Sequence, residues 1–273
     1  MQPDFLTVGE GRRFCLYHPA QAAKARAALL YLHPFAEEMN KARRMAALQS
    51  RALAAAGCAV LQIDLLGCGD SSGDFADATW AAWRADALAG FSHLRALSGA
   101  RPMLWGLRAG CLLAADIAAE LPEAVDFIFW QPVVSGKTHW QQFMRLKMAG
   151  ELGSGQASAI GEQLRRQLAA GQPVEIAGYD IAPALVSGLE QAELTPPIRD
   201  KSRDKGRVVW REVSLRDDAA LAPASLKRIE AWRAAGYTVD ARVVRGPAFW
   251  QTSEIEDAPE LIASTLEALA EAP

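Results

Sequence analysis

The segment Gly106-Leu107-Arg108-Ala109-Gly110 lies between two apolar runs, PMLWGL before it and CLLAA after it. A G-x-X-x-G spacing between a strand and a helix lifts its central side chain out on a tight, strained turn, and the side chain so displayed is ordinarily a nucleophile. Here the central residue is arginine. A guanidinium keeps its proton in proteins and carries five N–H donors but no acceptor, so Arg108 can neither attack a carbonyl nor be activated by a base. Two roles remain open to it. Its rigid fork pairs with a carboxylate or phosphate, and the N-terminus of the following helix adds positive potential at the same spot. Alternatively it is locked to an acid of the chain itself, with Glu37, Glu38, Asp217 and Asp218 as the candidates, because an inward-facing arginine cannot be left unpaired.

Four other stretches could join this residue. In LHPFAEEMNKARR, from Leu32 to Arg44, the backbone N–H groups around Phe35 and Ala36 could supply half of an oxyanion hole. There His33 ends a strand, a position where a histidine is more often structural than catalytic, and the acidic pair Glu37 and Glu38 precedes a helix expected to begin near Lys41, where the dipole favours negative charge. In DLLGCGDSSG, Asp64, Gly67, Gly69 and Ser71 form a turn that shapes a loop, and their spacing does not fit a dinucleotide fingerprint. The stretch after the last strand, VVRGPAFWQTSEIEDAP, contains no histidine, although a general base is expected there; Phe249 and Trp250 occupy its place. The stretch EVSLRDDAALAP offers Asp217 or Asp218 as an acid. A rearranged site would pair Arg108 with Glu37 or Glu38, or pair Cys111, whose thiol a helix N-terminus would acidify, with His139. The aromatics Trp130, Trp140, Phe249 and Trp250 are taken singly as core, and together as the wall of a pocket for an acyl-type chain. The full expected ligand-facing set is His33, Phe35, Glu37, Glu38, Arg108, Ala109, Trp130, Gln131 and Trp250.

The elements that must position these residues alternate regularly. An opening hairpin turns at GEG; RAALLYLH, CAVLQID, PMLWGL and VDFIFWQP read as buried strands, with amphipathic helical segments between them. That alternation demands right-handed crossovers and a mostly parallel, doubly wound sheet. The rhythm fails from Val133 to Lys205, where EQLRRQLAAG is polar and helical and LTPPIRDKSRDKGR is rich in proline and charge. It resumes with RVVWREV, a helix, TVDARVV and a terminal helix. The expected division is therefore a core of residues 1–133 and 206–273 with residues 134–205 inserted as a helical cap.

From about residue 26 onward the chain resembles the α/β-hydrolases, and the combination HPFAEEMNKARRM, DLLGCGDSSGDF, WGLRAG and FIFWQPVVSG resembles the exosortase A system-associated hydrolase 2 family. The resemblance implies an α/β-hydrolase fold and a place beside bacterial exopolysaccharide and PEP-CTERM protein-sorting systems, with a companion hydrolase as a partner. The loss of serine and histidine together argues against Ser-His-Asp hydrolysis. The expected function is accordingly a non-classical or non-catalytic ligand-binding or accessory role, the alternative being a hydrolase of an ester or thioester with a rearranged site. A net charge of -3 with mixed signs excludes a phosphate-backbone stripe, and so nucleic acid. No apolar run approaches the roughly 20 residues of a membrane span, and the start MQPDFLTVGE lacks a signal-like apolar region, so a cytoplasmic location is expected. Cys15, Cys58, Cys68 and Cys111 are too far apart for a zinc or disulfide framework, and no cofactor or metal is implied.

Overall fold

The computed structural model describes residues 1–149, 157–197 and 206–270. Its centre is an eight-stranded sheet in the order β1 (Gln2–Val8), β2 (Gly11–His18), β4 (Cys58–Ile63), β3 (Ala27–Leu32), β5 (Pro102–Leu107), β6 (Phe127–Trp130), β9 (Arg207–Ser214), β10 (Thr238–Arg245). Strands β1, β2 and β4 pair antiparallel, and every pairing from β4 through β3 to β10 is parallel. The predicted mostly parallel sheet is therefore present.

Alternation along the central strands explains why both faces are covered. Leu30 and Leu32 of β3 join one apolar cluster and Leu29 and Tyr31 the other, and in β5 Leu104 opposes Met103 and Trp105 in the same way. The first cluster is closed by α2 (Trp80–Ser98) and α3 (Gly110–Ala118); the second by α1 (Glu37–Ala55) and α8 (Pro259–Ala270). A strand buried on both sides reads as a continuous apolar run, which is why PMLWGL matches β5 residue for residue.

Between β6 and β9 lie α4 (Gly136–Ala149), α5 (Ala157–Ala169), a small hairpin of β7 (Val174–Ile176) and β8 (Tyr179–Ile181), and α6 (Pro183–Gln191). The hairpin accompanies the expected helices; each of its strands, VEI and YDI, is only three residues long and carries a charged residue, so no strongly apolar strand marks it in the sequence. Most of the charged tail of LTPPIRDKSRDKGR, residues 198–205, lies outside the described residues. The remaining helix, α7 (Pro223–Ala234), connects β9 to β10. Among the described residues no helix is long and apolar enough to cross a membrane.

The Asp64 turn does shape its loop. Asp64 Oδ2 accepts bonds from Arg43 and from the Asp70 N–H, while Ser71 donates to the Asp64 carbonyl at 2.6 Å and accepts from the Phe14 N–H at 2.8 Å. One hydroxyl thus ties β2 to the end of β4. Ser71→Ala should lower stability by about 1–2 kcal/mol, because it leaves a backbone donor and acceptor unpaired. Urea denaturation would read the loss, and a ligand that binds at Arg108 should bind unchanged.

Candidate functional site

The turn after β5 has the geometry its glycines predict. Arg108 sits at φ 54°, and a Cβ added to Gly106 would come within 2.6 Å of the Cys111 backbone, so strand and helix nearly touch. Gly110 is tighter against the neighbouring loop: a Cβ there would lie 2.1 Å from the Leu32 carbonyl oxygen and 2.8 Å from that of His33. The turn is anchored to β6 as well, the Arg108 N–H donating to the Trp130 carbonyl at 3.0 Å and the Val133 N–H to the Arg108 carbonyl at 3.3 Å. This is the framework of a nucleophile elbow, holding a cation.

Across from it, α1 begins at Glu37 rather than near Lys41, so Glu37 and Glu38 belong to the first helical turn and do not precede the helix. The helix starts early because Ala36, at φ 50°, caps it with no side-chain bond, and such a start leaves no Ser, Thr, Asn or Asp signal to read. Arg108 Nε donates to Glu38 Oε1 at 3.2 Å, the two side chains being 14% and 9% exposed. The Trp250 ring lies under the guanidinium, 5.4 Å from Cζ to the ring centroid, a cation–π contact on one face. Among the described residues the backbone N–H groups of Ala36 and Ala109 have no protein acceptor, as an oxyanion pocket would require.

Arg108, Glu37 and Glu38 open on a cavity of about 390 Å³ whose other walls are Lys41, His139, Gln142, Phe143 and Gln251. Its electrostatics follow from burial. Desolvation pushes the Glu38 carboxyl up to about 7 even though the Arg108 guanidinium opposes the shift. Glu37 is raised for the same reason, with its own backbone N–H and Lys41 pulling the other way. His139 is pushed down to about 3, first by burial and then by the nearby Arg108 charge, so it is neutral at physiological pH. Among the described residues both of its ring nitrogens are buried without a partner, as are Glu37 Oε2 and Glu38 Oε2 on the same cavity and Trp250 Nε1 beside Arg108. Native proteins leave few such atoms, and a group of them around one cavity calls for an explanation by bound water or ligand.

The remaining expected residues are placed elsewhere. His33 is a structural histidine: Nδ1 lies 2.8 Å from the Pro34 carbonyl and Nε2 accepts from the Leu65 N–H, so both ring nitrogens are occupied. Phe35 is buried against Phe75, Trp83 and Phe143, behind the cavity wall. Trp130 is fully buried, its indole donating to Thr265 and its ring packed on Trp105 and Phe249, so it belongs to the core and does not face the cavity. The amide oxygen of Gln131 accepts from the Val213 N–H at 2.8 Å, which ties β6 to β9 and leaves that oxygen to the sheet. Asp217 and Asp218 do not reach Arg108: they are exposed, 81% and 77%, and pair with Arg245 and Arg216. The helix start does not acidify Cys111 either. Its thiol is wholly buried against the Trp130 carbonyl, and desolvation pushes it well up, so the Cys111–His139 pairing has no reactive thiolate on which to rest. Lys41, Gln142, Phe143 and Gln251 were not foreseen. Lys41 comes to the cavity one helical turn after Glu37, Gln142 and Phe143 three and four residues after His139, and Gln251 next to Trp250, spacings that only the folded elements turn into neighbours.

The sheet order, the elbow after β5 and the antiparallel β2 together define an α/β-hydrolase fold. Solved structures to which the chain is similar agree. They include Est1E from Butyrivibrio proteoclasticus with ferulic acid bound (14% identity, 98% of each chain covered, TM-score 0.61). A soluble variant of monoglyceride lipase from Saccharomyces cerevisiae in complex with a substrate analogue matches at 13% identity, covering 97% of this chain and 92% of that one, TM-score 0.60. Alpha/beta hydrolase domain-containing protein 10 from mouse matches at 14% identity over 99% of each chain, TM-score 0.57. No family model matches the chain, and no curated protein matches it.

Proposed function

We propose that this chain uses an α/β-hydrolase fold to bind a small anionic ligand at Arg108 and has given up serine hydrolysis. The observation that carries the reading is the elbow itself: a protonated side chain at φ 54°, its Nε held by Glu38, faces a cavity of about 390 Å³ where an attacking hydroxyl would otherwise stand. Arginine's fork suits an incoming carboxylate or phosphate, and the N–H groups of Ala36 and Ala109 offer further donors. Residues 134–205 act as a cap over a core of residues 1–133 and 206–273, because α4 supplies His139, Gln142 and Phe143 to the cavity from above the strand ends. The sequence motifs HPFAEEMNKARRM, DLLGCGDSSGDF, WGLRAG and FIFWQPVVSG support an accessory role in an exopolysaccharide and PEP-CTERM sorting system, in the cytoplasm and alongside a companion hydrolase.

One observation favours a second reading. A carboxyl that titrates near 7 is tuned for proton transfer, so Glu38 could serve as acid or base while Arg108 polarises an ester or thioester carbonyl. Turnover of p-nitrophenyl esters and acyl-CoA thioesters separates the two. The binding reading expects wild-type rates equal to those of Arg108→Ala and Glu38→Gln, all at background, whereas turnover that either change abolishes would establish the enzyme. In calorimetric titrations, Arg108→Ala should weaken carboxylate binding at least about tenfold, the size of one charge-assisted contact.

A further inference from the structure

We infer that the Arg108 cavity takes a hydroxy acid, a ligand whose carboxylate meets Arg108 and whose hydroxyl groups meet Glu37, Glu38 and His139; this rests on the anion-binding reading above and narrows it. The argument is one of matching donors to acceptors. A plain carboxylate offers only acceptors. It would engage the Arg108 guanidinium and leave the buried Oε2 of Glu37, and that of Glu38 in its ionised form, unpaired and facing further negative charge. His139 sharpens the requirement. At 4% exposure, with neither ring nitrogen bonded among the described residues, the neutral imidazole presents one donor and one acceptor to whatever fills the cavity. A hydroxyl group, donor and acceptor at once, satisfies both kinds of site.

An ammonium could also donate to the carboxylates, but they already have cations beside them. Arg108 lies 3.2 Å from Glu38, and Lys41 lines the same cavity and favours the charged form of Glu37. A third cation there would be repelled, whereas a neutral hydroxyl would not. The ring of Phe143, held edge-on by Phe35 at 5.1 Å between centroids, gives the cavity one flat apolar wall against which the C–H face of a ring acid can rest. The volume, about 390 Å³, lies in the range of small-molecule sites and accommodates a six-membered ring acid.

Three probes of one shape test this by calorimetry at neutral pH: glucuronate, with ring hydroxyls; cyclohexanecarboxylate, with none; and pipecolate, with a ring ammonium. The expected result is that glucuronate binds at least about tenfold more tightly than either of the others. His139→Phe, which keeps a ring against Phe35 and removes both nitrogens, should erase most of that preference. Equal affinities for glucuronate and cyclohexanecarboxylate would overturn the hydroxy-acid inference and keep the anion site. Pipecolate binding tightest would overturn it in favour of an amino acid. If none of the three binds, or if Arg108→Ala binds all three as wild type does, the anion-binding reading falls with it.

Discussion

Gly110→Ala is expected to destabilise the protein by about 3 kcal/mol or more, although it adds a single methyl group. That methyl would lie 2.1 Å from the Leu32 carbonyl oxygen, a backbone atom that cannot swing aside like a side chain. To make room, the start of α3 must back away from the carboxyl end of β3, or β3 must shift within the sheet. Either movement disturbs strands that are buried on both faces. It would also move Arg108, two residues earlier, relative to Glu38 on α1, so ligand binding should weaken with stability. Urea denaturation would show a lower midpoint with an unchanged slope. By contrast, alanine at Gly99, which unlike Gly110 is at positive φ but has nothing within 4 Å of an added Cβ, would incur only the conformational cost. If the two substitutions proved equally mild, the elbow would not be held against β3 as tightly as its geometry requires.

The difference between what could be read from the residues and what could not has a physical pattern. Strands β3 to β6 were legible because burial on both faces forces uninterrupted apolar runs, and the elbow was legible because close backbone approach forces glycine at Gly106 and Gly110. The start of α1 was not, because Ala36 caps it through backbone conformation alone. That one displaced boundary matters to the site: it puts Glu38 on the helix facing Arg108 and so decides which of four candidate acids becomes the partner. Asp217 and Asp218 follow the expected strand, yet nothing in their spacing tells whether a loop folds over the strand ends or out into solvent. Trp130 and Gln131 lie at a strand end as expected, but which face a side chain takes there depends on register, and the register gives both to the sheet. His139 was legible as a cap histidine that could be paired with Cys111, a pairing with no reactive thiolate behind it. Its meaning comes from the absence of any partner within a buried site, a property of three dimensions alone.

The Arg108–Glu38 pair should make stability depend on pH in a direction opposite to that of an ordinary salt bridge. An exposed, well-paired carboxylate has its titration lowered by folding and stabilises more as pH rises. Glu38 is instead raised from 4.5 to about 7, because burial outweighs the nearby guanidinium. For a group raised in the folded state, the stabilisation is fully present below the unfolded value and is lost as pH climbs through the folded one. Between pH 4.5 and 7 the protein should therefore lose about 3 kcal/mol from this residue, the equivalent of that shift at 1.36 kcal/mol per unit. Glu38→Gln, which cannot ionise, should flatten the slope in this window and be more stable than wild type at pH 8. Arg108→Ala has the complementary signature. At pH 5 Glu38 is already neutral and the loss of its partner costs about one hydrogen bond from a charged donor to a neutral acceptor, roughly 2 kcal/mol. At pH 8 the wild type carries a paired carboxylate, and the variant must either desolvate an unpaired one or hold its proton against the solvent, which costs several kcal/mol. Urea midpoints for the three proteins at pH 5, 6, 7 and 8 measure both effects at once. Parallel curves would mean that Glu38 is ionised throughout, and that the pair is an ordinary salt bridge rather than a strained cation and acid held ready for a ligand.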